Sequence, residues 1–311
     1  MKALIDFDAA PVFGIPTRDG TGLREGMLVE GPQGWGEFSP PPECDAAVVA
    51  RWLTAAVEGG TVGWPDPRRG RIPIAVTVPA VAAVVAHRMV ADSGCGTADV
   101  AVGTRPGSLD EDVTRVAAVR DALGHGGRIR CSANGSWTVE EAVRAIRALA
   151  AAAGELEFVA RPCRTVEELA VVRARIDVPI AADLPWAAAA DVAVLRAGPL
   201  GGVRRALRLA EQCEVLCVVA SSVETSVGLA AGLALAGALA DLPLACSLGT
   251  AALLAGDLVA PGRALIPVDG YLPVAPMPAS PDPELVSRFS LTDPDRVLWW
   301  RRRLLLARGG G

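Results

Sequence analysis

One arginine of this chain stands where α/β barrels place their functional groups. The segment from Asp191 to Leu195 is largely apolar, and a short apolar run bounded by turn signals is typical of a buried strand. Arg196 ends the run, and the pair Gly201-Gly202 opens the helical segment that follows. The carboxyl end of a barrel strand is where the chemistry of such barrels takes place. Arg196 therefore either binds an anionic or carbonyl group of a ligand, or plugs the barrel as one half of a salt bridge.

The elements that would position this arginine follow a regular order. From residue 72 onward, strand patterns alternate with helix patterns, which is the signature of parallel α/β structure. The predicted strands lie near 72–78, 97–102, 128–132, 156–160, 178–182, 191–196, 214–220 and 243–248. The predicted helices lie near 80–91, 110–123, 138–152, 165–175, 201–211, 225–239 and 250–258. Eight strands and seven helices predict a (β/α)8-type barrel over residues 71–260.

One crossover of this barrel is too short for a normal helix. Only residues 184–190 separate the fifth predicted strand from the sixth, whereas a parallel crossover that contains a helix needs roughly a dozen residues. We expect the outer helix to be reduced here to a turn or two.

The two ends of the chain differ from the barrel pattern. Residues 1–70 read as a small α+β unit, with strands at 4–8 and 26–30 and a polar, glycine-rich loop at 17–24. A turn-rich connection at 34–43 is expected to lead to a helix at 46–57 with Asp45 as its N-cap. Residues 261–311 are rich in proline and then in arginine, and we expect them to pack back against the first unit.

The composition excludes several classes of function. The net charge of −5 gives no reason to expect nucleic acid or an anionic membrane as a partner. No apolar run reaches the ~18 residues of a membrane span, and the first residues lack the apolar region of a signal peptide, so we expect a cytoplasmic protein. The seven cysteines include no CxxC pair, which favours free thiols. No GxGxxG or P-loop pattern follows a strand.

The usual acid–base residues are scarce in this chain. Lys2 is the only lysine among the 30 basic residues, so no lysine in the body of the chain takes part in catalysis. Arginine, with a pKa above ~12, cannot replace it as a base near neutral pH. The two histidines, His87 in a predicted helix and His125 in a Gly-His-Gly-Gly turn, are not placed for a Cys/His or Ser/His/Asp arrangement.

A set of strand-end motifs resembles those of the enolase superfamily, and most closely those of the actinobacterial o-succinylbenzoate synthases. The motifs run along nearly the whole chain and include Leu23-Arg-Glu-Gly, Gly34-Trp-Gly-Glu-Phe, Ala133-Asn-Gly-Ser-Trp, Pro179-Ile-Ala-Ala-Asp, Pro199-Leu-Gly-Gly-Val, Ser221-Ser-Val-Glu-Thr and Pro267-Val-Asp-Gly-Tyr. The resemblance implies an enolase-like fold, in which both chain ends form an α+β capping domain over the (β/α)8-type barrel. The site would then lie between the two.

The resemblance also shows where this sequence departs from the family. Members of the family use lysines on opposite sides of the barrel and a divalent metal held by three carboxylates. The lysine positions fall on Asp99 and Ala101 of the second strand and on Arg196 of the sixth. The three carboxylate positions fall on Ser132, Ala160 and Asp183. Because a single remaining carboxylate is a poor magnesium site, we expect no metal and no other cofactor.

The replacements suggest roles for the polar residues that remain. We expect Asp99, Asp183 and Arg196 to carry any catalysis, and we expect the substrate to contact Ser132, Asn134, Arg161, Ser222 and Glu224. Because the second and sixth strands face each other, Asp99 and Arg196 are predicted to pair directly or through water. Each residue also has a plain structural reading: Asp183 could be satisfied by a neighbouring arginine, Asn134 could shape a turn, and Glu224 could cap the next helix.

Two classes of function follow from this sequence. In the first, the chain is a repurposed, metal-independent enzyme of lyase or cyclase type that acts on a small carboxylate- or carbonyl-bearing compound. In the second, it is a pseudoenzyme that binds a ligand or a protein partner. A divergent o-succinylbenzoate synthase is the third and weakest alternative. We make no prediction of oligomeric state.

Overall fold

A computed structural model describes residues 5–20 and 22–309 of the chain. The first part is an antiparallel sheet of β1 (Val12–Pro16), β2 (Leu23–Gly31) and β3 (Gly34–Phe38), covered by helix α1 (Ala46–Thr61). Asp45 caps α1, because its side chain accepts a hydrogen bond of 2.8 Å from the backbone N–H of Val48. The predicted N-cap is confirmed.

Two local predictions for this region are wrong. The described residues of the segment 4–8 are bends and coil, not a strand, and residue 4 lies outside the described part. The segment that begins at Gly34 contains strand β3 where a turn-rich connection was expected. The strand was hidden by its glycines: a Cβ on Gly36 would clash with the carbonyl of Ala56, so α1 packs directly on the strand backbone. Glycine is required at this contact, and it weakens the strand pattern of the sequence.

Seven parallel strands form the wall of the barrel in the order in which they occur along the chain. They are β5 (Ala75–Val78), β6 (Thr97–Ala101), β7 (Arg128–Ser132), β8 (Val159–Ala160), β9 (Ile180–Asp183), β10 (Val192–Leu195) and β11 (Leu216–Val219). A short strand before them, β4 (Arg71–Pro73), pairs with β12 (Tyr271–Pro273). The sheet is curled, and its inner face is packed by apolar side chains such as Phe158, Val194 and Val218.

The eighth predicted strand is reduced to two residues that close this curled sheet. Cys246 bridges to Ile74 on one edge, and Ser247 bridges to Ala220 on the other. The N–H of Cys246 donates to the carbonyl of Pro73 at 2.8 Å, and that of Ser247 donates to Val219 at 2.9 Å. Consecutive residues therefore satisfy backbone groups on both sides of the gap, and the predicted (β/α)8-type fold is confirmed.

Helices cover the outer face of the sheet. They are α2 (Ala83–Ala91), α3 (Leu109–Leu123), α4 (Val139–Ala153), α5 (Val166–Arg173), α7 (Val203–Glu211) and α8 (Ser226–Ala238), whereas the short helix α6 (Ala197–Leu200), which follows β10, packs mainly against α1. The fifth crossover is a single 3-10 helix, Leu184–Ala189, as the length of the segment predicted. The predicted helix at 250–258 is wrong, because only a 3-10 turn, Thr250–Leu253, forms there. Backbone groups of Leu253 and Ala255 are taken by hydrogen bonds to the end of β1, so they are not free to continue a helix.

The last part of the chain contacts the first. Helix α9 (Pro283–Arg288) precedes α10 (Pro294–Gly309), and α10 packs against α1. Glu25 of β2 accepts hydrogen bonds from Arg296 at 2.6 Å and from the indole of Trp300 at 2.8 Å. The boundaries 1–70, 71–260 and 261–311 stay a prediction. In the part of the chain that the structure describes, no helix is both long and apolar enough to cross a membrane.

Candidate functional site at the carboxyl ends of the strands

The residues of interest lie at one end of the barrel because parallel strands end on the same side. Ser132 is the last residue of β7, Asp183 is the last residue of β9, and Arg196 directly follows β10. The register places Ser132 beside Ala160 of β8, and Asp183 beside Val194 of β10. The strands thus place at one end of the barrel side chains that are up to 64 positions apart in sequence.

Asp183 is held between two arginines. Its Oδ2 accepts a hydrogen bond of 3.0 Å from Arg161, and its Oδ1 pairs with a guanidinium N–H of Arg196. Arg196 also donates through Nε to the carbonyl of Ser221 at 3.2 Å. The side chains of Arg161, Asp183 and Arg196 are 37%, 29% and 25% exposed, so the cluster is half-buried. These three side chains alone have a net charge of +1, and the negative charges of Glu224 and Asp99 also act on Arg196.

Burial perturbs both guanidinium groups of this cluster. Desolvation and, to a smaller extent, the positive charge of Arg161 lower the pKa of Arg196 to about 10, against the opposing effect of Glu224 and Asp99. Burial also lowers the pKa of Arg161. Both residues still carry their charge at neutral pH. Arg161 in addition has a positive φ of 44°, an uncommon conformation for a residue with a side chain, which neighbouring contacts must hold in place.

Asp99 lies on a different side of the barrel opening and has its own partners. Its Oδ1 accepts a hydrogen bond from Ser132 at 2.7 Å, and its Oδ2 accepts one from Ser247 at 2.6 Å. The guanidinium of Arg130 lies 3.9 Å from Oδ2. Arg196 does not pair directly with Asp99, because it pairs with the carboxylate on the neighbouring strand, so the direct form of the predicted pair is wrong and the water-bridged form stays a prediction.

The turn after β11 contains Ser222 and Glu224. Glu224 is buried, and its carboxylate accepts hydrogen bonds from the Ser221 hydroxyl and from the backbone N–H of Ser222 at 2.7 Å. Thr225, and not Glu224, is the N-cap of α8. Glu224 therefore closes its own turn, next to the carbonyl group of Ser221 that Arg196 contacts.

Asn134 is more exposed than the residues of the arginine cluster. It is solvent-exposed and has a left-handed φ of 53°, which is followed by another left-handed residue, Gly135. Asparagine tolerates this conformation better than most residues. The geometry shows a turn former at Asn134, and its role in binding stays a prediction.

Sequence reasoning missed three polar residues inside or under the barrel opening. Arg130 is fully buried, stacks on Phe158 at 5.0 Å and donates to the carbonyl of Ala245 at 2.7 Å. Because side chains alternate along a strand, its position two residues before Ser132 could have placed it inside the barrel. Ser247 could not be found in this way, since its strand is only two residues long. Glu37, the third, belongs to strand β3 of the first sheet, and its contacts with α8 are described below.

The residues present do not fit the divalent metal that the family implies. Of the three positions that the resemblance assigns to metal ligands, only Asp183 has a carboxylate, and both of its oxygens accept guanidinium hydrogens. The Ser132 hydroxyl already donates to Asp99. Within residues 5–20 and 22–309, no three His, Cys, Asp or Glu side chains are grouped so that they could hold a metal ion.

The fold and the strand-end residues define a capped α/β barrel with a polar site at its opening. Residues 14–60 match the Enolase N-terminal domain-like family, and residues 81–278 match the Enolase C-terminal domain-like family. The chain belongs to the enolase superfamily.

Curated relatives place the chain close to one group within it. It is 50% identical over 276 residues to an o-succinylbenzoate synthase of Thermobifida fusca, covering 84% of this chain and 86% of that protein. An o-succinylbenzoate synthase of Mycolicibacterium smegmatis is 43% identical over 297 residues, covering 92% of this chain and 89% of the relative. The resemblance inferred from the motifs is confirmed.

Solved structures of low sequence identity support the fold. A muconate lactonizing enzyme from Pseudomonas fluorescens, solved with muconolactone, superposes with a TM-score of 0.75 at 20% identity, covering 91% of this chain and 98% of that structure. A 2-chloromuconate cycloisomerase from Rhodococcus opacus 1CP gives a TM-score of 0.74 at 22% identity, with the same coverage.

Proposed function

We propose that this protein binds a small carboxylate-bearing compound at Arg161 and Arg196, and that it acts on the compound as a metal-independent enzyme of lyase or cyclase type. The observation that carries the proposal is the pair of guanidinium groups that converge on Asp183 at the barrel opening. The side chains of Arg161 and Arg196 are 37% and 25% exposed, and Asp183 is the one carboxylate that both of them contact, so we propose that a ligand carboxylate takes their remaining N–H groups.

The proposed chemistry relies on orientation and on fixed charges. Arg161 and Arg196 would hold the carboxylate or carbonyl group, and Asp183 would keep the two guanidinium planes in place. Such an arrangement suits a cyclisation, a dehydration or a pericyclic step, since these need a bound conformation and stabilisation of developing negative charge. Asp99, with Ser132, would face the substrate from the other side of the opening.

A second candidate is a binding protein without catalysis, and one observation favours it. Each carboxylate oxygen of Asp99 and Asp183 already accepts a hydrogen bond from a protein side chain. A carboxylate engaged in this way must give up or share one of these hydrogen bonds before it can approach a proton of the substrate. Neither aspartate is therefore prepared to remove a carbon-bound proton.

The reaction named for the curated relatives is not part of this proposal. Those relatives are o-succinylbenzoate synthases, and the resemblance places their lysines at Asp99, Ala101 and Arg196 of this chain. We expect no formation of o-succinylbenzoate, because none of these side chains is an amine that can act as a base near neutral pH. Turnover above a buffer blank that is lost in Arg196→Met would show the chain to be a divergent synthase instead.

The test begins with binding. A set of small mono- and dicarboxylates is screened by thermal shift and then titrated by calorimetry with the wild type, Arg161→Met and Arg196→Met. Arg173→Met is the matched control, because it removes an arginine from another Arg–Asp ion pair, with Asp191. We expect one or more carboxylates to bind the wild type and the control and to lose at least tenfold in affinity in the other two variants, a loss typical of a charged hydrogen bond.

Turnover then separates the two candidates. Compounds that bind are incubated with the wild type, with and without EDTA, and followed by mass spectrometry. Conversion that survives EDTA and disappears in Arg196→Met supports the enzyme, and binding without conversion supports the binding protein. Carboxylate affinity that is equal in all four proteins would refute both.

A further inference from the structure

Two glutamates of the first α/β unit, which consists of the sheet β1–β3 and helix α1, reach across to the first turns of two barrel helices. Glu58 of α1 accepts hydrogen bonds from the backbone N–H groups of Val203 and Arg204 at the start of α7. Glu37 of β3 accepts hydrogen bonds from the backbone N–H groups of Thr225 at 3.1 Å and Gly228 at 3.2 Å at the start of α8. The first N–H groups of a helix have no acceptor within the helix, and these carboxylates supply the missing acceptors.

Glu37 is the more enclosed of the two. It is 5% exposed, and its other hydrogen bonds come from the hydroxyls of Ser39, at 2.6 Å, and Thr225. Gly228 leaves the necessary space, because a Cβ at this position would lie 2.9 Å from the carboxyl carbon of Glu37 and 2.8 Å from the Cβ of Glu224. The two glutamate side chains thus meet around one glycine.

The charged groups that act on Glu37 come from two elements. Arg24 of β2 donates to the carbonyl and hydroxyl of Ser39, and its positive charge favours ionised Glu37. Glu224, which precedes α8, disfavours ionisation by like-charge repulsion. The small gap beside Glu37 is lined from α1 by Trp52 and by uncharged small residues, and from the segment after α1 by Trp64. Burial outweighs the favourable contacts and raises the pKa of Glu37 to about 7.

The hydrogen bonds around Glu37 can serve either protonation state. When Glu37 is ionised, the hydroxyls of Ser39 and Thr225 both donate to it. When it is protonated on Oε1, the Ser39 hydroxyl can rotate and accept that proton while it keeps the hydrogen bond from Arg24. Oε2 then continues to accept from Thr225 and Gly228. The contact with α8 therefore survives protonation, and protonation removes the cost of burying a charge at this position.

We propose that Glu37 is a proton-operated latch between the first α/β unit and the barrel, which holds the two together most tightly when its carboxyl is protonated and loosens them when it ionises. The proposal is independent of the function proposed above, since it concerns the joint and not the arginine cluster.

The sign of the effect follows from the two pKa values. The pKa of Glu37 is 4.5 when the side chain is free and about 7 in the folded protein. Between these values the folded state binds the proton and the unfolded state does not, so the contribution to stability is complete below pH 4.5 and is lost as pH rises to about 7. Inside this window the folding equilibrium constant changes by up to about tenfold per pH unit through this group.

Trp52 and Trp64 allow the latch to be observed without knowledge of the ligand. Tryptophan fluorescence and its quenching by acrylamide are measured from about pH 5 to about pH 9 in the wild type, Glu37→Gln and Glu58→Gln. We expect the wild type and Glu58→Gln to show a transition with a midpoint near pH 7 and more quenching above it, and Glu37→Gln to show none. Trp52→Phe should reduce the amplitude of the transition.

A second measurement covers the case in which Glu37→Gln does not fold. Difference infrared spectra of the wild type on either side of neutral pH should show the loss of a protonated carboxyl band as pH rises. A transition that persists in Glu37→Gln, or a wild type that lacks either the fluorescence change or the carboxyl band, would overturn the proposal.

Discussion

Arg196 forms its ion pair with Asp183, which ends the neighbouring strand β9, and not with Asp99 across the barrel. The structure therefore divides the opening into two polar groups. One contains Arg161, Asp183 and Arg196, and the other contains Asp99 with its serine partners. This division determines which mutations should affect one another.

Double-mutant cycles on Arg196 should show this division directly. Arg196→Met combined with Asp183→Leu should give a coupling free energy of roughly 1–3 kcal/mol, because the two side chains are in contact. Arg196→Met combined with Asp99→Leu should show a smaller coupling, because Asp99 acts on Arg196 through its charge without a direct contact. The measurement is the free energy of unfolding by urea for the wild type, the single variants and the two double variants. A larger coupling to Asp99 than to Asp183 would contradict the structure.

The hydroxyls that bind Asp99 should contribute to stability. Asp99 is only 13% exposed, and Ser132→Ala or Ser247→Ala would leave one of its oxygens without its hydroxyl donor. Each substitution should cost roughly 1–3 kcal/mol, since a buried charged group is left short of a partner. Thr114→Ala is the control, because its exposed hydroxyl donates to the carbonyl of Asp110. Equal, small effects of all three substitutions would argue against a buried, hydrogen-bonded Asp99.

Magnesium should not bind at the barrel opening. The only carboxylate at the three ligand positions that the resemblance assigns is Asp183, and two guanidinium groups occupy its oxygens. A cation would have to displace them and would meet their positive charge. Calorimetric titration with Mg²⁺ and with Mn²⁺ should be flat. Stoichiometric binding that is lost in Asp183→Asn would disprove this prediction.

Glu58 should stabilise the joint between α1 and α7. Its side chain is 11% exposed, and it accepts hydrogen bonds from Val203, Arg204 and the Arg204 guanidinium. Glu58→Ala should cost roughly 1–2 kcal/mol, the upper part of the range for loss of a helix N-cap. Glu140→Ala is a suitable control, because Glu140 is 78% exposed and pairs only across the surface with Arg175. Thermal melts of the two variants against the wild type provide the comparison.

The sequence by itself determined the fold class and the family of this protein. Strand and helix patterns repeat from residue 72 onward, and a parallel barrel is the arrangement that satisfies them. The shortened crossover at 184–190 also followed from chain length alone, because six or seven residues cannot build a normal crossover helix. The sequence pattern placed Asp183 and Arg196 at strand ends, and the presence of a single lysine, Lys2, led to the expectation that the base chemistry of the family is absent.

The tertiary structure decided which of these residues meet. Alternation along a strand tells which face a side chain lies on. It does not give the distance across a barrel, so the sequence could not show that Arg196 contacts Asp183 directly and not Asp99. Strand β3 and the two-residue closure at Cys246 and Ser247 depend on contacts with distant backbone, which leave little local pattern. Glu37 is the clearest case: its proton affinity comes from burial against α8, 188 positions further along the chain, and no local sequence signal records that contact.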